Sequence, residues 1–151
     1  MKNRIFIIDG SSYLYRAFHA MPPLSTSKGQ PTGAVKGVTN MLMNLKKDSE
    51  GSPIIVVFDA KGKTFRNEIY SEYKANRPPM PDELRLQLDP VKSICRAIGF
   101  PLIEIEGVEA DDVIATITRM AKDAQYKCVV SSLDKDLMLS LIHISEPTRP
   151  I

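Results

Sequence analysis

Acidic side chains follow each of four short, β-branched runs of the sequence, at or just past the residue where the run ends. The seven acids are Asp9, Asp59, Glu109, Asp111, Asp112, Asp134 and Asp136. Carboxylates gathered in one place repel one another unless cations lie between them, and the hard divalent ions Mg²⁺ and Mn²⁺ prefer such oxygen ligands. Two of these ions about 3.5–4 Å apart stabilise both the attacking and the leaving oxygen of a phosphodiester. The acids therefore predict a two-metal site for phosphodiester hydrolysis.

Each acid taken alone also has an interpretation as a capping or turn residue. Residues 109–112 precede a helical pattern, where acids satisfy the N–H groups and the dipole of a first turn. Asp134 could cap a following element, and Asp9 and Asp59 stand in the turn-like sequences Asp-Gly-Ser-Ser and Asp-Ala-Lys-Gly. Capping accounts for one strand end at a time, whereas acids at four strand ends favour a shared site.

A parallel sheet would bring the acids together. Short apolar runs alternate with stretches of helical period, which predicts a mostly parallel, doubly wound α/β sheet. The predicted strands are Ile5–Ile8, Ile54–Phe58, Leu102–Ile105 and Lys127–Ser131. Their near-continuous hydrophobicity predicts that both faces of the sheet are covered. Because the carboxyl ends of parallel strands lie at one edge of a sheet, the acids are expected to meet there.

Three helices are predicted between the strands. On the spacing of their apolar residues they span about Gly33–Leu45, Leu84–Ile98 and Asp111–Ala121. Gly99 is a stop signal for the second helix, and Pro90 interrupts it, so we expect a kink or a restart there with Asp89 as cap. Two proline-rich segments separate the elements, a mobile loop at Met21–Thr32 and a stiffer break at Arg77–Pro81.

Length and composition predict a single globular domain. The chain has 151 residues, of which 43% are hydrophobic and 25% charged. No apolar run approaches the roughly 20 residues of a membrane span, and no secretory signal is visible. Cys95 and Cys128 lie in apolar stretches like core residues, so a cytoplasmic location is expected. With His19 and His143 as the only histidines and no P-loop pattern, the sequence excludes Ser-His-Asp, Cys-His, zinc and P-loop chemistry.

One segment combines basic and aromatic side chains. Between Lys61 and Arg77 five basic residues stand against two acids, a net +3 in a chain whose formal net charge is +2. The residues that would share one face of a helix are Arg66, Tyr70, Lys74 and Arg77. Such a face could bind phosphates and stack on unpaired bases, or it could belong to an ordinary solvated amphipathic helix. Its start directly after Asp59 favours the first interpretation.

Four motifs in order carry a resemblance to a known family. IIDGSSYLYRAFHAMPPL, VVFDAKGKTFRNEIYSEYKANRPPMPDELR, GVEADDVIATI and SSLDKD closely resemble the amino-terminal 5′-nuclease domain of bacterial DNA polymerase I. That domain belongs to the flap endonuclease family of PIN-like (resolvase-like) folds. The resemblance implies a divalent-metal-dependent 5′-3′ exonuclease and flap endonuclease that removes 5′ flaps and RNA primers in replication and repair. It also implies two Mg²⁺ or Mn²⁺ ions, DNA with a 5′ flap or 5′ end and RNA primer–DNA hybrids as partners, a monomer, and the bacterial nucleoid as location.

The resemblance assigns roles to particular residues. Asp9, Asp59, Glu109, Asp111 and Asp112 match metal ligands, and Asp134 and Asp136 match ligands of the second ion. Residues 60–81 match a helical arch, in which Lys74 and Arg77 act at the scissile phosphate beside Asp59 and Tyr73 stacks on the substrate. The expected DNA-binding residues are Arg16, Lys61, Lys63, Arg66, Tyr70, Tyr73, Lys74 and Arg77.

The sequence departs from the family near its end. The family continues with a further strand, a Gly-Asp-Ser-x-Asp pair of metal ligands and a helix-hairpin-helix, whereas residues 139–151 resemble a translated sequencing-adapter read. We therefore expect a nuclease domain over residues 1–138, incomplete at its carboxyl-terminal side, and a foreign tail that lacks structure. Two other functions stay open: a catalytically weak nucleic-acid-binding fragment, and a stand-alone PIN-like ribonuclease.

Overall fold

The computed structural model describes residues 3–60 and 80–132. In chain order the elements are β1 (Arg4–Asp9), α1 (Gly10–Ala20), α2 (Gly33–Asp48), β2 (Ile54–Val57), α3 (Asp82–Ile98), β3 (Leu102–Ile103), α4 (Ala110–Asp123) and β4 (Lys127–Ser131). The strands form one parallel sheet in the order β3-β2-β1-β4. The predicted parallel α/β fold is confirmed.

The register aligns the carboxyl ends of the strands. Asp9 at the end of β1 is paired with Val57 at the end of β2, and Ile8 is paired with Ser131 at the end of β4. Val57 is paired in turn with Ile103, the last residue of β3. All four strands therefore end at the same edge of the sheet, which we call the carboxyl edge.

Helices cover both faces of the sheet, and side chains alternate between them along each strand. Phe6 and Ile8 of β1 pack in a cluster with α1, α2 and α3, whereas Ile7 packs on the opposite face with α4. Ile7 and Ile8 are fully buried, and burial of one such side chain stabilises the fold by roughly 1.5–3 kcal/mol. The prediction of strands covered on both faces is confirmed.

The strand β3 is shorter than predicted. It ends at Ile103 instead of Ile105, and the Ile105 side chain is 46% exposed. Beyond the strand, Glu104 forms an ion pair with Lys92 of α3, and Gly107 takes a left-handed φ of 80° in the turn toward α4. The apolar run of the sequence therefore continues past the strand, whose end is followed by the ion pair to α3 and the turn at Gly107.

The helix α1 was not among the predicted elements, and a turn at Asp-Gly-Ser-Ser was one of the two interpretations of Asp9. Instead, the Asp9 carboxylate accepts a hydrogen bond from the backbone N–H of Ser12, 3.2 Å away, and so caps a helix of 11 residues. The same short polar residues that favour turns also favour the start of a helix. The strand ends within one residue of the prediction, and of the local interpretations of Asp9 the structure supports a helix cap and not a turn.

The helix α3 runs without interruption through Pro90, so the predicted restart and the capping role of Asp89 are wrong. Pro90 has no N–H to donate, yet Leu84, Val91 and Cys95 are almost completely buried along the helix. Their packing against the sheet outweighs the loss of one hydrogen bond. The predicted stop is confirmed, since Gly99 ends α3 in a left-handed conformation with φ of 102°.

The segment between α1 and α2 contains local structure of its own. Ser25 and Pro31 form an isolated antiparallel bridge, and the Thr26 hydroxyl accepts hydrogen bonds from the N–H groups of Lys28 and Gln30. Its predicted mobility stays a prediction. Within residues 3–60 and 80–132, no helix is long and apolar enough to cross a membrane.

The two cysteines lie in different environments. Cys95 is fully buried, and this burial raises the pKa of its thiol to about 11. Cys128 is half-buried, and its thiol pKa is also raised by burial. Both are free thiols, and the predicted core location is confirmed in full for Cys95.

Candidate metal centre

Asp9 is held at the carboxyl edge by two hydrogen bonds from different elements. The side chain is only 4% exposed, and one carboxylate oxygen, Oδ1, caps α1 through Ser12. The other, Oδ2, accepts a hydrogen bond of 2.8 Å from the hydroxyl of Ser132, which directly follows β4. Asp9 therefore joins the ends of β1 and β4 and fixes the direction of the chain entering α1.

Asp59 connects three elements from an exposed position just past β2. Its Oδ1 accepts a hydrogen bond of 2.7 Å from the backbone N–H of Ala110, the first residue of α4. Its Oδ2 accepts a hydrogen bond of 3.3 Å from the hydroxyl of Ser11 in α1. Asp59 thus supplies the acceptor for the amino terminus of a helix 51 residues away in sequence.

The acids at the start of α4 contribute in different ways. Glu109 is the N-cap residue by its backbone and is 4% exposed, yet within the described residues its side chain makes no capping hydrogen bond to α4. The capping interpretation therefore fails for the Glu109 side chain, and Asp59 supplies an acceptor for the first N–H of the helix instead. Asp111 and Asp112 lie in the first turn, half-buried, where the helix dipole favours negative charge.

The structure brings the predicted acids of β1, β2 and α4 to one edge, but hydrogen-bond donors lie between them. Among the side chains of residues 3–60 and 80–132, no three from His, Cys, Asp and Glu lie close enough together to hold one ion. The donor set itself consists of carboxylate oxygens, which fits Mg²⁺ or Mn²⁺. The full predicted ligand set includes Asp134 and Asp136, which lie outside the described residues, and it stays a prediction.

Of the predicted DNA-binding residues, the structure describes one. Arg16 is exposed on α1. The others lie outside the described residues: Lys61, Lys63, Arg66, Tyr70, Tyr73, Lys74 and Arg77. In the sequence they stand between Asp59, just past β2, and Asp82, the first residue of α3.

Hydroxyl groups at the carboxyl edge were missing from the predicted site. Ser11 and Ser132 donate to Asp59 and Asp9, and the hydroxyls of Tyr13 and Ser131 lie 2.6 Å apart, linking α1 to β4. A signal was present, since serine pairs stand next to the acids in Asp-Gly-Ser-Ser and in the Ser131-Ser132 pair before Asp134. Hydroxyls beside strand-end acids are suited to orient the carboxylates.

The start of α1 packs against the end of β2 with no space for a side chain. A Cβ on Gly10 would lie 2.6 Å from Cζ of the Phe58 ring. Gly10 follows Asp9, and Phe58 precedes Asp59. The absence of a side chain at Gly10 therefore lets the two acid-bearing strand ends approach closely.

Two bacterial proteins are similar to the chain over most of its length. It is 60% identical over 133 residues to DNA polymerase I of Pseudomonas aeruginosa, covering 88% of this chain and 15% of that protein. It is 47% identical over 134 residues to the 5′-3′ exonuclease of Aquifex aeolicus, covering 89% of this chain and 46% of that protein. The chain therefore spans less than half the length of either relative.

Solved structures of a phage enzyme share the fold. The T5 5′-exonuclease with bound divalent zinc ions superposes with a TM-score of 0.67 at 26% identity, covering 89% of this chain and 50% of that one. The bacteriophage T5 flap endonuclease, in a pseudo-enzyme–product complex with DNA and metal ions, gives a TM-score of 0.66 at 28% identity with the same coverage. The family model for the 5′-3′ exonuclease N-terminal resolvase-like domain matches residues 4–145, past the predicted boundary at residue 138. The chain belongs to this 5′-3′ exonuclease family.

Proposed function

We propose that the protein is a divalent-metal-dependent 5′-3′ exonuclease and flap endonuclease that hydrolyses phosphodiesters in 5′ flaps and RNA primers. The observation that carries the proposal is the meeting of Asp9, Asp59 and the α4 amino terminus at one sheet edge, where hydrogen bonds link both acids to α1 and Asp59 also to α4. Membership of the 5′-3′ exonuclease family supports the same reaction. The T5 flap endonuclease, which shares the fold, is seen with DNA and metal ions.

Acidic side chains would hold two Mg²⁺ or Mn²⁺ ions at the carboxyl edge. Asp9, Asp59, Glu109 and Asp111 are nearest to the chemistry in this proposal, with Asp112 beside them. Asp134 and Asp136 would hold the second ion. When bound, the ions activate a water molecule and neutralise charge on the phosphodiester.

Basic residues would position the substrate. Lys74 and Arg77 of the arch segment would neutralise charge that develops on the scissile phosphate. Tyr73 would stack on an unpaired base, and Arg16 on α1 would contact the backbone of the nucleic acid. The proposed partners are DNA with a 5′ flap or 5′ end and RNA primer–DNA hybrids, bound by a monomer in the bacterial nucleoid.

Cleavage of a 5′-flap DNA with Mg²⁺ or Mn²⁺ tests the proposal. We expect flap release that chelation abolishes and that Asp59→Asn reduces by about 100-fold or more, because the loss of a residue that only orients a metal ligand already costs about 10- to 100-fold. Asp123→Asn is the matched control, because Asp123 is an exposed acid at the far end of α4. A folded chain that releases no flap with either ion would refute the proposal.

A second function is favoured by the spacing of the acids. In the part of the chain that the structure describes, no three side chains from His, Cys, Asp and Glu lie close enough together to hold one ion. The chain would then bind nucleic acid without cleaving it. Retention of a labelled flap without turnover identifies this function, whereas cleavage of single-stranded RNA that needs no 5′ end identifies a PIN-like ribonuclease.

A further inference from the structure

Lys92 is a buried lysine on α3 whose contacts lead toward the carboxyl edge. Its side chain is 6% exposed, and its Nζ lies 2.6 Å from a carboxylate oxygen of Glu104, just past β3. The same Nζ lies 5.7 Å from the centroid of the Phe58 ring, within the range of a cation–π contact. A buried ammonium group is costly unless it is paired, so these contacts fix where the Lys92 side chain can lie.

Phe58 is confined from a second direction. The ring is 1% exposed, and its Cζ, Cε2 and Cδ2 atoms border the position of Gly10 so closely that a Cβ there would lie 2.6–2.9 Å away. Lys92 from α3 and Gly10 from α1 therefore both restrict the ring. The residue that follows Phe58 is Asp59, whose carboxylate joins α1 to α4.

A charged cavity lies beside this arrangement. It has a volume of about 460 Å³ and is lined by Ala60, Asp89, Lys92, Arg96, Glu104 and Glu106. Glu104 is 32% exposed, so water can solvate its carboxylate if the ammonium partner is removed. Neutralising Lys92 would therefore not leave a fully buried anion without compensation, and the fold is expected to tolerate the change.

We propose that Lys92 is a positioning residue for Asp59. Its ammonium group, anchored by Glu104, restrains the Phe58 ring and with it the backbone that carries the Asp59 carboxylate. The inference rests on the proposed function, because the placement of Asp59 affects turnover only if that carboxylate serves the metal site. Lys92 itself touches neither substrate nor metal in this proposal.

The effect should appear in the response to metal and not in substrate binding. For Lys92→Met we expect the Mg²⁺ concentration for half-maximal flap cleavage to rise by about 3- to 10-fold, at the low end of outer-shell effects on metal sites. We expect the KM for the flap to stay within about 2-fold, because no substrate contact is lost. Glu104→Gln removes the charge of the anchor but keeps an amide oxygen that can accept from the Lys92 ammonium, so it should give a smaller rise. Lys92→Arg, which keeps the positive charge, should retain most of the wild-type response.

A fluorine label on Phe58 reports the environment and the motion of its ring directly. With 4-fluorophenylalanine incorporated at position 58 of the full chain, Lys92→Met should shift or broaden the ¹⁹F signal. Lys36→Met, at an exposed lysine of α2, is the matched control and should leave both the signal and the Mg²⁺ response unchanged. Circular dichroism melting shows whether each variant is folded.

The outcomes separate the two proposals. If the wild-type chain cleaves the flap and Lys92→Met matches it within about 2-fold in Mg²⁺ response, the positioning role is wrong. If the wild-type chain cleaves nothing, the proposed function fails and the ¹⁹F signal alone decides whether Lys92 restrains Phe58. An identical signal in the wild type and Lys92→Met would then overturn the inference.

Discussion

Two strand-end acids, Asp9 and Asp59, perform related tasks by different routes. Asp9 is buried and caps α1, the helix that follows it directly in sequence. The donor is the backbone N–H of Ser12, three residues further along the chain. Asp59 is exposed and accepts from the first residue of a helix 51 residues further along the chain. Both carboxylates also accept a hydrogen bond from a serine hydroxyl, Ser11 of α1 for Asp59 and Ser132, just past β4, for Asp9.

The difference shows that capping and a shared site are not exclusive. Each carboxylate has two oxygens with several acceptor positions, so one acid can satisfy helix N–H groups and still face a cation. At the carboxyl edge the amino termini of α1 and α4 both meet strand-end acids, so the same donors that satisfy the carboxylates also orient them. Such orientation is what metal ligands require from their surroundings.

The largest expected effect is on flap cleavage by Asp9→Asn, a substitution that removes the charge of Asp9 and keeps its helix-capping oxygen. Asparagine caps a helix about as well as aspartate, and its amide N–H can donate to the Ser132 hydroxyl where the carboxylate accepted from it. Asp9→Asn should therefore change the free energy of unfolding by about 1 kcal/mol or less. Flap cleavage should nevertheless fall by about 100-fold, because a neutral amide is a poor metal ligand. Urea unfolding and initial cleavage rates measure the two quantities.

The outcome for Asp9→Asn tests whether the buried and the exposed acid share one function. Unchanged cleavage by Asp9→Asn beside strong loss in Asp59→Asn would assign Asp9 to capping alone. Equal losses would place both acids in the same site. The Asp123→Asn control shows the effect of neutralising an acid outside that site.

The fold was predictable from sequence where the signal was local. Four strands and three helices follow from runs and spacings of apolar residues, and they bring the acids to one edge through the rules of parallel sheets. The link from Asp59 to Ala110 was not predictable, because it joins residues distant in sequence and shows no local pattern. The helix α1 was missed because cap and turn residues are the same types, and α3 continues through Pro90 because burial outweighs local preference.

A smaller effect concerns the close approach of the two strand ends. Gly10→Ala places a methyl group where the Phe58 ring lies, so we expect a loss of about 1–3 kcal/mol in unfolding free energy, as for other overpacked sites. As a single variant, Phe58→Leu removes the ring and also lowers the unfolding free energy. The double variant should lose less than the sum of the two single losses, by about 0.5 kcal/mol or more. If the losses of the two single variants simply add in urea unfolding, the methyl group added at position 10 does not clash with the Phe58 ring.

The smallest expected effect compares the hydroxyl donors of the two acids. Ser132→Ala removes a hydrogen bond of 2.8 Å to the buried Asp9, and we expect a loss of about 1 kcal/mol in unfolding free energy. Ser11→Ala removes two longer bonds to the exposed Asp59, one of 3.3 Å to its carboxylate and one of 3.4 Å from its backbone N–H. Water can replace the hydroxyl in both, so we expect less than about 0.5 kcal/mol. Parallel urea titrations of both variants measure the difference. Equal losses would mean that burial does not distinguish the two carboxylates, and the contrast between a buried and an exposed acid at this edge would then have no energetic basis.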